Sequence, residues 1–267
     1  LAAIKTLLPE LPQRRSRRWQ HRQRGGQLAM RAALRTASRK AGLVLPQFQT
    51  RQTAPRPLVI LCDISGSMEH YSRVMLHFIH GLTQHQSAVH SFLFGTKLTN
   101  ITRQMRQRDV DAAVQAISIS VADWSGGTLI GSNLQRFNRD WSRRVLTGGA
   151  SVILITDGLD CTPDGDMSAL QRLHFEMERL HKSTYNLIWL NPLLRFDRFA
   201  PKSHSIQTML PHVDDFLPMH SLHSIGDIAD AMQIIGRRRS KQLIGWQRLA
   251  RDAGDSARRY ISYAQIK

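Results

Sequence analysis

The stretch PLVILCDISGSM, residues 57–68, decides the fold class. Five consecutive apolar residues run from Leu58 to Cys62, and the run ends at Asp63. A short run that is apolar at every position is typical of a strand covered on both faces of a sheet. Apolar residues at helical spacing follow over 69–86. The stretch therefore predicts a buried strand that leads through a polar loop into an amphipathic helix.

The same alternation of strands and helices continues along the chain. Further strands are predicted for residues 89–94, 97–101, 150–156, 185–190 and 213–217, and helices for 109–118, 130–141, 167–182 and 221–235, with 193–211 irregular. Buried strands that alternate with helices form a mostly parallel sheet with helices on both faces. We therefore expect an α/β protein with a doubly wound sheet, in which ligands bind beyond the carboxyl ends of the strands.

The positive charge of the chain is concentrated at its two ends. Of the net +17, residues 1–56 hold 13 basic residues against one acidic (+12), residues 57–235 hold 15 against 17 (−2), and residues 236–267 hold 9 against 2 (+7). We expect a basic N-terminal arm with a short helix over 27–40 and a linker over 46–57, then the α/β domain, then a basic helical tail. Such arms suit an acidic protein surface, nucleic acid or anionic lipid.

The rest of the composition favours a cytoplasmic protein. Cys62 and Cys161 are too few for a disulfide framework, so both are expected to be free thiols in a reducing compartment. No run of about 18 apolar residues predicts a membrane span. The first 20 residues lack the apolar core and cleavage site of a signal peptide.

Three segments place oxygen-bearing side chains at predicted strand ends or in the loops beside them. Asp63, Ser65 and Ser67 follow the first strand, and Asp157 follows the strand VILI, while Thr128 lies in the loop Ser-Gly-Gly-Thr. The alternation in Asp-x-Ser-x-Ser allows three side chains of one loop to turn toward one point. Because both carboxylates follow buried strands of one sheet, the fold would bring the five residues together.

These donors suit a hard divalent cation. Mg²⁺ takes six oxygen ligands at about 2.1 Å and keeps some of its waters. Two carboxylates and three hydroxyls are too few strong donors to surround Ca²⁺, which takes up to about eight oxygens. The sequence therefore predicts a Mg²⁺ site, with Mn²⁺ as the alternative ion, that leaves one position open.

The five residues resemble the metal-ion-dependent adhesion site of von Willebrand factor A domains. Asp63, Ser65, Ser67, Thr128 and Asp157 match all five positions, and the resemblance covers residues 57–235. It implies a Rossmann-like sheet with one antiparallel edge strand. It also implies that the open metal position takes a carboxylate from a partner protein.

A narrower resemblance is to the CoxE-like group of these proteins. It is carried by PRPLVILCDISGSM, FLFGTKLTNITRQMRQRD, DWSGGTLIGSNLQRFN, LIWLNPL and VDDFLP, and it is weaker across 1–45 and 236–267. It implies an adaptor that works with a MoxR-type AAA+ ATPase in metalloenzyme maturation or complex remodelling.

No enzymatic activity is expected. The chain has no Walker A motif and no Ser-His-Asp arrangement that the sequence can place. Two alternatives stay open. One is a nucleic-acid-binding module that uses the basic arms, which is disfavoured because Trp19 and His21 are the only ring side chains among the arginines of 14–24. The other is a metal-dependent hydrolase, disfavoured because no general base is visible.

Overall fold

The computed structural model describes residues 13–39, 45–86, 88–121, 127–161, 167–196, 198–219 and 243–252. The contacts between Cα atoms divide the chain into two compact units. We call Pro12–Pro55 the N-terminal unit, and we call the described residues from Arg56 onward the body.

The N-terminal unit is a small antiparallel sheet with one helix. It comprises β1 (Gln13–Arg22), β2 (Gln27–Leu28), α1 (Met30–Arg39) and β3 (Phe48–Pro55), with the strand order β1-β3-β2. The short helix predicted within 27–40 is confirmed. The linker predicted for 46–57 is wrong, because residues 48–55 form the central strand of this sheet. Prolines and polar residues suggested a linker, whereas pairing with a strand about 30 residues away determines the structure.

The body contains a six-stranded sheet. Its strands are β4 (Leu58–Asp63), β5 (Val89–Phe94), β6 (Leu98–Asn100), β7 (Ser151–Ile155), β8 (Asn186–Asn191) and β9 (Asp215–Pro218), in the order β6-β5-β4-β7-β8-β9. Only β6 is antiparallel to its neighbour. The mostly parallel sheet with one antiparallel edge strand is therefore confirmed, and it places β4 and β7 side by side in the centre.

Helices cover both faces of this sheet. They are α2 (Glu69–His85), α3 (Thr102–Met105), α4 (Val110–Ser120), α5 (Ile130–Asp140), α6 (Ser142–Val145), α7 (Met167–Ser183), α8 (His204–Met209) and a helix at 243–252, here α9. Alternate residues of β4 enter two separate cores. Ile60 and Cys62 pack with residues of α2 and α4, whereas Val59 and Leu61 pack with residues of α5 and α7. This is the doubly wound arrangement that the sequence predicts.

Two regions of the body differ from the sequence predictions. Residues 193–211, expected to be irregular, include α8 and two 3-10 turns, Pro192–Arg195 and Leu210–His212. Helix α9 lies in the segment predicted as a separate tail. However, Leu243 is fully buried in the core that Val59 and Leu61 form with α5 and α7, here called the second core. The centroid of the Trp246 ring lies 5.9 Å from that of Phe216. The body therefore extends beyond residue 235. The helix predicted for 221–235 lies outside the described residues.

A membrane-spanning helix is not found in the part of the chain that the structure describes, since each helix there is too short or too polar.

Candidate metal centre

The two predicted carboxylate ligands lie at one edge of the sheet. Asp63 is the last residue of β4, and Asp157 follows the end of β7 by two residues. These strands are parallel neighbours, with Cys62 opposite Ile155. The fold thus brings both carboxylates to the carboxyl ends of the central strands, where they are 0% and 1% exposed.

Asp63 is held by three hydrogen-bond donors. Its Oδ1 accepts from the Ser65 N–H at 2.9 Å and from the Thr128 hydroxyl at 3.1 Å. Its Oδ2 accepts from the Thr156 hydroxyl at 2.7 Å. The loop that follows β4 and the loop that precedes α5 are therefore joined through one buried carboxylate.

Asp157 is linked to the same loop through a serine. The Ser67 hydroxyl donates to Asp157 Oδ2 at 2.5 Å, and the Ser65 and Ser67 hydroxyl oxygens are 3.1 Å apart. The Leu159 N–H donates to Asp157 Oδ1 at 2.9 Å. Ser67 is exposed, so the oxygen cluster opens to the surface at this residue. All five residues singled out in the sequence are thus brought together, and their role as metal ligands stays a prediction.

Two further residues, Thr156 and Asn191, support the cluster. Thr156 bonds Asp63 and also accepts from the Gly158 N–H at 3.1 Å. Asn191, at the end of β8, donates from its side-chain amide to the Asp157 carbonyl at 2.9 Å. Thr156 directly follows β7, and Asn191 is the last residue of β8. Their positions at strand ends were the sequence feature that could have identified both as neighbours of the cluster.

Cys161 supports Thr128, and no sequence signal pointed to it. The Cys161 N–H donates to the Thr128 carbonyl at 2.8 Å, and the Thr128 N–H lies 3.3 Å from Cys161 Sγ. A Cβ on Gly127 would lie 2.8 Å from this sulfur, so a side chain there would displace Cys161. Both cysteines are free thiols, as predicted, with Cys62 buried and Cys161 exposed.

Burial determines the electrostatics of the cluster. It raises the pKa of Asp63 from its ordinary value of 3.8 to about 6, and the charge of Asp157 adds to the rise, whereas hydrogen bonds from Ser65 and Thr156 oppose it. In the described part of the chain, no lysine, arginine or histidine forms an ion pair with either carboxylate. Two buried acids that lack a basic partner favour a bound cation.

The raised pKa predicts how the metal-free protein responds to pH. Between pH 3.8 and 6 the folded state holds the Asp63 proton more tightly than the unfolded state, so stability falls as pH rises through this window. Above it, ionised Asp63 lowers the free energy of unfolding by about 3 kcal/mol. The near-isosteric variant Asp63→Asn lacks this penalty. Urea unfolding in EDTA measures the free energy of unfolding of the variant minus that of wild type. This difference should increase by about 1–2 kcal/mol from pH 5 to pH 7.5. A difference independent of pH would contradict the prediction.

Gly158 fixes the backbone that follows Asp157. Its φ is +79°, and a Cβ there would lie 2.6 Å from Trp189 Cζ2 and 2.8 Å from Ile206 Cγ1. Trp189 is itself held by a hydrogen bond from its Nε1 to the Thr156 carbonyl at 2.9 Å. The loop therefore has no room for a side chain at this position.

Replacing Gly158 with alanine should destabilise the body by about 2–4 kcal/mol, because left-handed strain adds to overpacking. Urea unfolding in EDTA measures the loss. Gly245→Ala in α9 is the matched control, since nothing lies within 4 Å of its added Cβ and alanine favours the helix. Equal stabilities of the two variants would show that the loop can move away.

The donor set of the cluster comprises two carboxylates and three hydroxyls. Nowhere in the described residues, this cluster included, does a group of three or more His, Cys, Asp or Glu side chains lie together, so an ion here would depend on the hydroxyls as well as on the two carboxylates. Hard oxygens of this kind fit Mg²⁺ or Mn²⁺ better than softer metals, which favour sulfur and imidazole.

This fold and this strand-end cluster define a von Willebrand factor A domain protein. The chain matches the family model described as "VWA domain containing CoxE-like protein" over residues 1–225. It therefore belongs to the CoxE-like family of von Willebrand factor A domain proteins. The match begins at residue 1, so it includes the N-terminal unit, across which the resemblance had been expected to be weaker.

Several solved structures align with part of this chain at low identity. Proximal thread matrix protein 1 from the mussel byssus aligns with a TM-score of 0.42 and 14% identity, covering 67% of this chain and 47% of that one. A form of that protein with a zinc-occupied MIDAS motif aligns at 0.41, with the same identity and coverage. BatB from Bacteroides thetaiotaomicron aligns at 0.43 with 15% identity, covering 68% and 99%. The chain spans about half the length of the mussel protein. A search of curated proteins found no match.

Proposed function

We propose that this protein is a protein-binding adaptor whose binding depends on a divalent cation, and that it is not an enzyme. The observation that carries the proposal is the cluster of oxygens around Asp63 and Asp157. Both carboxylates are buried without a basic partner among the described residues, and three hydroxyls lie beside them. A cation would balance this charge and use these oxygens as ligands.

The proposed ion is Mg²⁺, with Mn²⁺ as the alternative. Asp63, Ser65, Ser67, Thr128 and Asp157 would hold it, and when bound it would present a Lewis-acid position to an oxygen of a partner protein. The cytoplasm, where Mg²⁺ is abundant, is the compartment that we propose.

The chain itself orients these oxygens before any ion binds. Three donors fix the Asp63 carboxylate, and the Ser67 hydroxyl joins Asp157 to the loop after β4. Oxygens held in this way lose little conformational freedom on binding, which strengthens binding. The exposed Ser67 provides the side from which a partner approaches.

The proposed partner is a client protein that contributes an acidic side chain, together with a MoxR-type AAA+ ATPase. A carboxylate supplies a hard oxygen and neutralises positive charge at the ion. The ATPase and a role in metalloenzyme maturation or complex remodelling rest on the likeness to the CoxE-like group.

A pull-down from native lysate tests this function. Wild-type protein, Asp157→Ala and the surface control Asp140→Asn are used as bait in about millimolar Mg²⁺ or in EDTA, and captured proteins are identified by mass spectrometry. We expect wild type and Asp140→Asn to capture an AAA+ ATPase only with Mg²⁺, and Asp157→Ala to capture none. Failure to recover an ATPase, or recovery unaffected by EDTA, would contradict the proposal.

The alternative hypothesis, a metal-dependent hydrolase, is tested by an activity screen. Generic phosphatase and esterase substrates are screened with Mg²⁺ or Mn²⁺, using Asp157→Ala as the control. We expect no turnover above that of the variant. Metal-dependent turnover that is abolished in Asp157→Ala would contradict the adaptor proposal and show that the protein is an enzyme.

A further inference from the structure

One face of the N-terminal sheet has a composition that the metal centre does not explain. In the antiparallel register, Arg15 lies opposite Thr53 and Trp19 lies opposite Arg51. Side chains of opposed residues project from the same face, as do residues two apart along a strand, which adds His21. We call these five residues the Trp19 face, and all five are exposed.

The charge of the N-terminal unit has a single sign. Its described residues include ten arginines, and among these residues there is no lysine, aspartate or glutamate. Arginine binds phosphate through two parallel N–H donors and stacks on flat rings, whereas lysine acts as a point charge. With ten arginines and no acidic residue among those described, this unit favours a polyanionic ligand.

Trp19 adds an aromatic surface within this charge. The Arg51 guanidinium lies 5.3 Å from the centroid of the Trp19 ring, and 42% of Trp19 remains exposed. A large ring exposed in a basic sheet is the arrangement on which nucleic-acid bases stack. The arginine on one side of the ring places a cation beside that stacking surface.

A bulge in β1 contains further arginines next to the Trp19 face. The register shifts between Arg15 and Trp19, where three residues of β1 oppose one residue of β3. Arg17 and Arg18 lie in this bulge and are exposed, and the Arg18 N–H is held by the Ser16 hydroxyl at 3.1 Å. Bulges of this kind redirect side chains. Four arginines thus lie within or next to the Trp19 face.

We propose that the Trp19 face binds single-stranded nucleic acid, with Trp19 stacking on a base and the surrounding arginines binding phosphates. A single strand offers both unpaired bases and phosphates at regular spacing, which is the combination that this surface matches. The sequence alone disfavoured nucleic acid because so few rings accompany the arginines. The folded sheet makes nucleic-acid binding more favourable than the sequence indicated, because the exposed ring and the arginines lie on one surface. This activity is separate from the metal centre and does not need a cation there.

Fluorescence anisotropy of the full-length chain with fluorescein-labelled oligo(U) and oligo(dT) tests the proposal. Trp19→Ala should weaken binding by about tenfold at every salt concentration, and Trp19→Phe should retain most of the affinity. Arg15→Gln should instead lower the slope of log K against log salt by about 0.7. Arg144→Gln is the matched control, since Arg144 also lies beside a tryptophan, 5.9 Å from the Trp141 ring, but in the body. It should change neither quantity.

Two further measurements identify the ligand. Tryptophan fluorescence should be quenched by oligo(U) in wild type but much less in Trp19→Phe, which isolates stacking on this one ring. Binding should persist in EDTA and in Asp157→Ala, so its loss and the loss of adaptor function are distinguishable. The proposal is overturned if duplex DNA binds as tightly as oligo(U) without dependence on Trp19, or if polyglutamate competes equally per charge. The latter result would indicate an acidic protein as the partner.

Discussion

Asp157→Ala is expected to weaken the binding of Mg²⁺ or Mn²⁺ by more than about 100-fold, since loss of groups that merely orient ligands already costs 10–100-fold. Partner binding should be lost with it. The folded state should persist, because the variant loses two hydrogen bonds, from Ser67 and Leu159, and gains relief from the charge of Asp63. These effects oppose each other, so the free energy of unfolding in EDTA should change by less than about 2 kcal/mol.

Isothermal titration calorimetry measures the metal affinity, and urea unfolding in EDTA measures the stability. Asp140→Asn, which removes an exposed carboxylate paired with Arg139, should match wild type in both. An Asp157→Ala protein that unfolds far more easily than metal-free wild type would show that this carboxylate is structural.

At Asp63, alanine would disturb the fold more than it does at Asp157, so a substitution that keeps the shape of the side chain is needed. Its carboxylate is fully buried and accepts hydrogen bonds from three donors, so Asp63→Ala would leave all of them without an acceptor. Each such loss costs about 1–3 kcal/mol. Asp63→Asn keeps an acceptor for Ser65 and Thr128 and removes the charge. Loss of metal binding in this variant, with the fold retained, would separate the ligand role from the structural one.

Ile153→Asp should unfold the body. Ile153 is fully buried in β7, between Ile60 of β4 and Ile188 of β8. A carboxylate there would lose its water without gaining a cation or a donor, since the neighbouring strands already use their backbone groups. The cost of about 5 kcal/mol or more is comparable with the whole stability of a domain.

Circular dichroism and the yield of soluble protein measure this effect. Ile119→Asp in α4 is the matched control, because Ile119 is 81% exposed and its replacement should change stability by less than about 0.5 kcal/mol. Val59→Asp, in the central strand β4, should behave like Ile153→Asp. A soluble, cooperatively folding Ile153→Asp protein would show that the sheet is less well covered than the structure indicates.

The strands of the body and the five clustered residues could be predicted because their signals are local. The run from Leu58 to Cys62 is apolar at every position, which is typical of a strand covered on both faces, and Asp63 directly after it lies at the edge of the sheet. Once β4 and β7 were recognised as parallel strands, the proximity of Asp63 and Asp157 followed from topology.

The features that could not be predicted from the sequence depend on contacts between residues distant in the chain. Phe48–Pro55 is polar and proline-bounded, and it becomes a strand through pairing with Gln13–Arg22. A truncation at residue 45 would therefore leave β3 without either partner, and a version that lacks the N-terminal unit should begin at Arg56. Cys161 beside Thr128 and helix 243–252 on the second core likewise arise from tertiary contacts.

The cluster at the ends of β4 and β7 is proposed to bind one divalent cation. Electron paramagnetic resonance of free Mn²⁺ during titration into the metal-free protein counts bound ions directly. We expect one Mn²⁺ per chain in wild type and Asp140→Asn, displaced by excess Mg²⁺, and none in Asp157→Ala or Asp63→Asn. Mn²⁺ bound with equal stoichiometry and affinity by wild type and both metal-site variants would contradict it.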